Sequence, residues 1–238
     1  MPGSYKTEAV VLRSIRFGEA DRVLHLYSST RGRVGAIAKG SRRPRSRFGG
    51  RLEPFFRLDL ILHEGRGELA TVTSASTVEG HSRLRASGPA LGAAARACDA
   101  VLRLLDSAEA NHAAYNLLCN YLALLDGEPD ATGESAALAF RLKLALAAGF
   151  SPELGSCARC GEADGLSGFS GEAGGVVCAA CEQGGFPLTA EAHGFMVEAL
   201  GSPLAEVPRA GERVLRQVDR AISETLEYHA HVRLRPAA

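Results

Sequence analysis

The first third of the chain alternates apolar and polar residues with the two-residue period of half-buried β-strands. The clearest run is PFFRLDLILH at residues 54–63, where Phe56, Leu58, Leu60 and Leu62 share one face. The pattern predicts five short strands, at residues 8–13, 22–27, 33–38, 54–63 and 68–78. Short strands with turn signals between them favour a small barrel or a sandwich.

From about Gly88 the apolar residues recur at helical spacing instead. Helices are predicted at residues 91–105, 111–125, 134–148 and 211–229, and one that starts after Thr189 and runs to about residue 200, with Thr189 as its N-cap. Cys98 and Cys119 lie on apolar stripes, so we expect both to be small buried hydrophobes. The sequence therefore predicts an α+β multidomain protein with a β-barrel domain at residues 1–82 and an α-helical domain at residues 83–238.

Hydropathy gives no sign of a membrane protein. No apolar run reaches the roughly 18 residues that a membrane span requires. The first residues, MPGSYKTEAVVLR, lack the basic-then-apolar layout of a signal peptide. We expect a cytoplasmic protein that does not engage membranes.

The net charge of zero conceals a strong asymmetry between the two parts of the chain. Residues 1–85 hold 16 Lys+Arg and 8 Asp+Glu, whereas residues 86–238 hold 11 Lys+Arg and 19 Asp+Glu. A basic first third joined to an acidic remainder suggests a nucleic-acid-binding module fused to a second part. The acidic helical part is better suited to docking proteins than nucleic acid.

The positive charge is densest in the basic loop, which we define as residues 39–51, KGSRRPRSRFGGR. Glycines and a proline rule out one regular helix, and arginine forks match phosphate oxygens at any working pH. A five-stranded barrel that presents such a loop suggests an oligonucleotide-binding (OB) fold. The candidate DNA-binding residues are Arg31, Arg33, Lys39, Arg42, Arg43, Arg45, Arg47, Phe48 and Arg51. The alternative is a solvated, disordered linker.

Aromatic residues are candidates for stacking on bases. Phe17, Tyr27, Phe55 and Phe56 belong to the alternating apolar pattern, so we expect them in the core. Phe48 differs because it lies inside the basic loop, and it is the candidate for stacking.

Four of the six cysteines form two Cys-x-x-Cys pairs, Cys157/Cys160 and Cys178/Cys181, with 17 residues between the pairs. This spacing is typical of a zinc site in which two knuckles close a tetrahedron of thiolates. Four thiolates leave no open coordination position, so we expect one structural Zn²⁺ per chain, in a module at about residues 152–187. Two redox-active dithiols are the alternative.

The sequence contains no phosphate-binding loop, no His-Glu-x-x-His motif and no Gly-x-Ser-x-Gly motif. We therefore expect a protein that is not an enzyme. Two other classes remain open: an RNA-binding protein of the translation apparatus with an OB fold and zinc, and a zinc- or thiol-dependent enzyme. A comparison of DNA with RNA of the same sequence separates the first from a DNA-binding protein.

Several segments of the first 80 residues, taken together, resemble the bacterial recombination mediators of the RecO family. They are EAVVLR at 8–13, FGEADR at 17–22, GRV at 32–34, AKGSRR at 38–43, SRFGG at 46–50 and LEPF at 52–55. The resemblance implies an OB barrel followed by a helical domain and a zinc module. It also implies non-enzymatic work in DNA repair at the nucleoid, by binding single- and double-stranded DNA and annealing complementary strands.

The resemblance further implies protein partners. These are RecR, the C-terminal tail of single-stranded DNA-binding protein and, indirectly, RecA. An apolar groove beside basic residues in the helical part would suit an acidic tail, and Arg141 and Lys143 are the candidate contacts.

Overall fold

The computed structural model describes residues 3–65, 67–128 and 133–236. The chain divides into two compact units, Met1–Gly127 and Glu128–Ala238. The change from strands to helices falls near residue 80, as the sequence predicts, but the first three helices belong to the compact unit of the strands. None of the helices among the described residues is long and apolar enough to cross a membrane.

The first unit is built on five strands, β1 (Ser4–Phe17), β2 (Asp21–Ser28), β3 (Gly32–Ala38), β4 (Arg57–His63) and β5 (Ala70–Glu79). They pair in the order β1-β2-β3-β5-β4, and β4 pairs back with β1, so that the barrel is closed. All the pairs are antiparallel except β3 with β5. Each predicted strand is present, and β1 extends beyond its predicted end.

Alternation along the strands fills the barrel with aliphatic side chains. Leu24 and Leu26 from β2 and Leu58, Leu60 and Leu62 from β4 are fully buried in one cluster. Because successive side chains of a strand point to opposite faces, the residues between them lie on the outside of the barrel. The predicted inward positions of β4 are confirmed.

Three helices complete the first unit: α1 (Ser82–Ala86), α2 (Gly88–Leu104) and α3 (His112–Gly127). The Ser87 side chain accepts a hydrogen bond from the Ala90 amide at the start of α2, and Asn111 does the same for the Ala114 amide of α3. Cys98 and Cys119 are buried as predicted. The five-residue helix α1 has no counterpart in the predicted elements, because it is too short for a periodic pattern.

The second unit contains α4 (Glu134–Ala147), three short strands, α5 (Ala190–Gly201) and α6 (Glu212–His229). The strands are β6 (Leu166–Ser170), β7 (Gly175–Cys178) and β8 (Phe186–Pro187), and they form a sheet of order β7-β6-β8. The Thr189 side chain accepts a hydrogen bond from the Ala192 amide, so the predicted N-cap of α5 is confirmed. The small sheet was not predicted from the sequence.

Candidate nucleic-acid interface and metal centre

The basic loop lies between β3 and β4 and is folded into a succession of turns. Backbone hydrogen bonds join Arg43 to Gly40, Ser46 to Arg43 and Arg51 to Phe48. The loop is also fastened to the β1–β2 turn. The Gly40 amide donates to the Asp21 carboxylate at 2.7 Å, and the Arg42 amide donates to the Ala20 carbonyl at 2.8 Å. The described residues therefore form an ordered loop, not a disordered linker.

The loop exposes its positive charge. Its six basic side chains are all exposed: Lys39, Arg42, Arg43, Arg45, Arg47 and Arg51. Within the described part of the chain, none of them forms an ion pair with a carboxylate. Their hydrogen bonds go to carbonyl oxygens instead, as from Arg42 to Gly18 at 3.2 Å and from Arg51 to Arg47 at 3.2 Å. The charge of the loop is thus available to an external anion.

Phe48 is buried, and its predicted exposure for stacking on bases is wrong. The ring is 1% exposed and belongs to the barrel core together with Leu52. The Arg47 guanidinium lies 4.9 Å from the centre of the ring, which closes it off further. Burial of the phenylalanine ring removes apolar surface from water, and this holds the loop against the barrel. Phe48 supports the loop from inside the barrel.

Arg31 and Arg33 do not join the cluster of the basic loop. They lie at the start of β3, and the loop leaves its other end, about 20 Å away at the rise of a strand. The Arg31 guanidinium pairs with Glu64 at 2.5 Å and lies over the ring of Tyr5 at 3.9 Å. These side chains line a cleft of about 350 Å³ with Arg33, Gly65 and Gly67.

The β1–β2 hairpin carries exposed residues that the sequence reading did not assign to a site. The side chains of Ile15 and Phe17 are 42% and 55% exposed, and the neighbouring Arg13 and Arg16 are exposed as well. The exposure of Phe17 contradicts the prediction that it is a core residue. β1 and β2 remain paired through Phe17 and Asp21, beyond the part of the barrel that surrounds the core. The run RSIRF, which combines two arginines with two apolar residues, was the signal that the sequence offered.

The second candidate site lies in the second unit. The Sγ atoms of Cys157, Cys160, Cys178 and Cys181 all lie within 4.8 Å of one another, and the described residues contain no second cluster of this kind. The first pair forms a knuckle in which the Gly161 amide donates to the Cys157 carbonyl at 2.8 Å, with Gly161 at φ +80°. Glycine suits this left-handed backbone conformation because it has no Cβ atom. The second pair begins at Cys178, the last residue of β7, and ends at Cys181.

Hydrogen bonds among the thiol groups raise the pKa of Cys160 and of Cys181, whereas the backbone lowers that of Cys157. Backbone hydrogen bonds at Cys178, then at Cys160 and Arg159, lower the pKa of Cys157 to about 6. The Cys160 and Cys178 sulfurs are 3.7 Å apart, which is too far for a disulfide bond. The described cysteines are therefore free thiols that are close enough to hold a metal ion.

The two predicted contacts for a partner protein have different surroundings. Arg141 is 5% exposed, and its guanidinium is paired with the Asp219 carboxylate of α6, so the prediction that it contacts a partner is wrong. Arg141 lies on the face of α4 that packs on α6. Its side chain is therefore part of the buried contact between these two helices. The Lys143 ammonium donates to the Leu200 carbonyl at the end of α5 at 2.8 Å and is only partly buried.

Comparison with known proteins identifies the family. The family model described as recombination protein O N terminal matches residues 1–81, and recombination protein O C terminal matches residues 85–236. The DNA repair protein RecO of Rubrobacter xylanophilus is 39% identical, covering 91% of this chain and 90% of its own. RecO of Anaeromyxobacter sp. strain K is 36% identical over 96% and 92% of the two chains. With a basic barrel loop and a four-cysteine cluster on the same chain, these matches show that the chain belongs to the recombination protein O (RecO) family.

Proposed function

We propose that this protein acts in DNA repair and recombination by binding single- and double-stranded DNA through the basic loop and annealing complementary strands. The observation that carries the proposal is the group of six exposed basic side chains on a loop that is anchored to the barrel. The position of the basic loop on an OB-type barrel also supports the proposal, because such barrels bind nucleic acid. Both matching family models are those of a recombination protein, so an RNA-binding role in translation is not favoured.

Annealing in this proposal requires no catalytic side chain, so the protein is not an enzyme. Each arginine that contacts a phosphate releases condensed counterions, and binding therefore weakens as salt rises. Two strands held on one cationic surface repel each other less and meet at a higher local concentration. If all six basic side chains of the loop contact phosphates, the logarithm of single-strand affinity falls with the logarithm of salt with a slope of about −4.

The test reverses the charges of Arg42, Arg43 and Arg45 to glutamate. Arg47 is left unchanged because it packs on the Phe48 ring. The three targets are exposed, so we expect the fold to survive and both DNA affinity and annealing rate to fall steeply. The salt slope should become shallower by about 2, at 0.7 for each single-strand phosphate contact.

A matched control reverses Arg209, Arg213 and Arg216, three exposed arginines of the second unit. Its affinity should stay near that of the unaltered protein. Equal affinities and equal salt slopes for the two triple variants would place the interface elsewhere and contradict the proposal.

The four cysteines fit a structural zinc ion. Zn–S bonds of about 2.3 Å put the corners of a thiolate tetrahedron about 3.8 Å apart. The separation of 3.7 Å between the Cys160 and Cys178 sulfurs agrees with this geometry. We propose that zinc stabilises the knuckles and the β6–β8 sheet without a catalytic role. Elemental analysis of freshly purified protein should find about one zinc per chain, and a value near zero would contradict the site.

The proposed role as a mediator includes two protein partners, RecR and the acidic C-terminal tail of single-stranded DNA-binding protein. Together with RecR, the protein helps to load RecA onto DNA that single-stranded DNA-binding protein coats, so RecA is an indirect partner. Support for the tail site comes from Leu146 and Val197, which are 50% and 49% exposed on α4 and α5, one turn from Lys143 and Leu200 respectively. A pulldown against single-stranded DNA-binding protein with and without its tail tests this proposal. Equal capture of both forms would contradict it. A cytoplasmic, nucleoid-associated location stays a prediction.

A further inference from the structure

The end of the β1–β2 hairpin presents apolar side chains on the outer surface of the barrel. From Arg13 to Phe17 the register with β2 is regular, with Ser14 opposite Leu24 and Ile15 opposite Val23. Leu24 is fully buried in the core, so Ser14 lies on the inner face and the residues on either side of it face outward. Arg13, Ile15 and Phe17 therefore form one outward-facing row, which we call the hairpin row.

Both apolar side chains of the hairpin row are exposed among the described residues, although the end of the row is held in place. Phe17 is 55% exposed, which is unusual for an aromatic residue that stands next to an ordered turn. The following residue, Gly18, adopts φ +54° and closes the turn, and its carbonyl accepts the Arg42 guanidinium at 3.2 Å. The ring is thus presented on a supported hairpin.

The basic loop flanks the hairpin row with cations, while Asp21, opposite Phe17, accepts the Gly40 amide of that loop and Glu19 is exposed in the turn. The Arg42 contact brings the basic loop directly to the residue after Phe17, and Arg13 is exposed on the same outward-facing row. The pKa of His25, which lies opposite Arg13, is lowered by burial and by the charges of Arg33 and Arg13. An exposed ring among cations suits a ligand that has both a flat apolar face and flanking anions.

We propose that the hairpin row is a platform for unpaired nucleobases, on which the Phe17 ring stacks while the basic loop holds the adjacent phosphates. The inference rests on the proposed DNA-binding function and specifies how a single strand is distinguished from a duplex. In a duplex the base faces are already stacked on each other, whereas in a single strand they are open to an aromatic ring. Stacking is tolerant of sequence because every base has a π-face. Phosphate contacts alone would hold both forms of DNA.

The first measurement compares Phe17→Ala with the unaltered full-length protein. Affinity for a dT oligonucleotide should fall about 5- to 150-fold, whereas affinity for a duplex of equal length should change by less than about twofold. The matched control is Ile61→Ala. Ile61 is 40% exposed on the same barrel and is paired with Lys6, at the other end of β1 from Phe17. It should bind both DNA forms normally.

The second measurement uses the absence of tryptophan from the sequence. The variant Phe17→Trp places a single indole in the hairpin row, and its fluorescence should be quenched by the dT oligonucleotide because the indole stacks on a base. Duplex DNA and inorganic polyphosphate should leave the emission unchanged, because they offer charge without an open base face. An Ile61→Trp variant should respond to none of the three.

The outcomes separate this inference from the proposed function. If the unaltered protein binds no DNA, both fail. If reversal of Arg42, Arg43 and Arg45 abolishes binding while Phe17→Ala leaves single-strand affinity unchanged, the phosphate interface stands and the platform is refuted. If Phe17→Ala lowers the affinity for single-stranded and duplex DNA equally, the platform is also refuted, since the ring would then only support the loop. Loss of capture of a protein partner with normal DNA binding would show that the row docks protein instead.

Discussion

The role of Phe48 as an internal anchor of the basic loop predicts a large loss of stability when the ring is removed. Phe48→Ala deletes a side chain that is 1% exposed and surrounded by the barrel core. Phenylalanine-to-alanine changes in cores cost about 3–5 kcal/mol. Loss of the Arg47 contact over the ring adds about 0.5–1 kcal/mol. We expect a total of about 3.5–6 kcal/mol, a large fraction of the 5–15 kcal/mol that typically stabilises a domain.

The assay is urea unfolding of the full-length protein, together with hydrogen exchange of the β3 and β4 amides, because these strands flank the loop. Phe17→Ala is the matched control, since the same truncation at a ring that is 55% exposed should cost less than about 0.5 kcal/mol. Phe48→Leu keeps much of the apolar volume, so its loss of stability should lie between those of Phe48→Ala and Phe17→Ala. A loss for Phe48→Ala no larger than that for Phe17→Ala would refute the anchoring of the loop.

Three further predictions concern other parts of the two units. Chelation of the metal, or Cys178→Ser, should lower the thermal stability of the second unit, because metal binding supplies folding free energy to such modules; unchanged melting after verified zinc loss would contradict this. Asp219→Ala removes the partner of the buried Arg141 guanidinium, and we expect a cost of about 2–3 kcal/mol in urea unfolding, below the range for fully buried pairs because Asp219 is partly exposed. His81 is 6% exposed, and burial lowers its pKa. The histidine therefore binds a proton more readily in the unfolded chain, so the stability of the fold should decrease as the pH drops below about 6.5. His81→Asn should weaken this pH dependence, and asparagine tolerates the φ of 45° at this position. Identical stability profiles for both proteins between pH 5 and pH 7.5 would count against it.

Short-range patterns were sufficient for most of the secondary structure. The alternation at residues 54–63 predicts β4 because a two-residue period can bury only one face of a strand. The cysteine spacing predicts a four-cysteine cluster for a similar local reason, since each Cys-x-x-Cys turn can point two sulfurs to one side. The predictions are wrong where the local sequence pattern does not determine which side chains are buried. The end of β1 contains apolar residues in a strand pattern, yet Ile15 and Phe17 lie outside the core.

The individual side chains of the candidate sites required the fold. Phe48 is surrounded by arginines in sequence, but contacts with distant strands bury it. Arg141 has the charge of a surface residue, but α6 supplies Asp219 and a covered position. Arg31 belongs to the basic stretch, but Glu64 pairs with it from 33 residues away. In each case the deciding neighbour is remote in sequence, and hydropathy and charge patterns carry no information about it.

The sequence by itself determined the barrel strands, most helices, the charge asymmetry, the basic loop and the four-cysteine cluster. These follow from periodicity, composition and spacing, which act over a few residues or over the whole chain. Only the tertiary structure decided which residues of the loop face solvent, that Phe17 and not Phe48 presents an exposed ring, and that Arg141 is internal. Burial is a property of the closed barrel and the packed helices, and it depends on contacts that form only when distant segments meet.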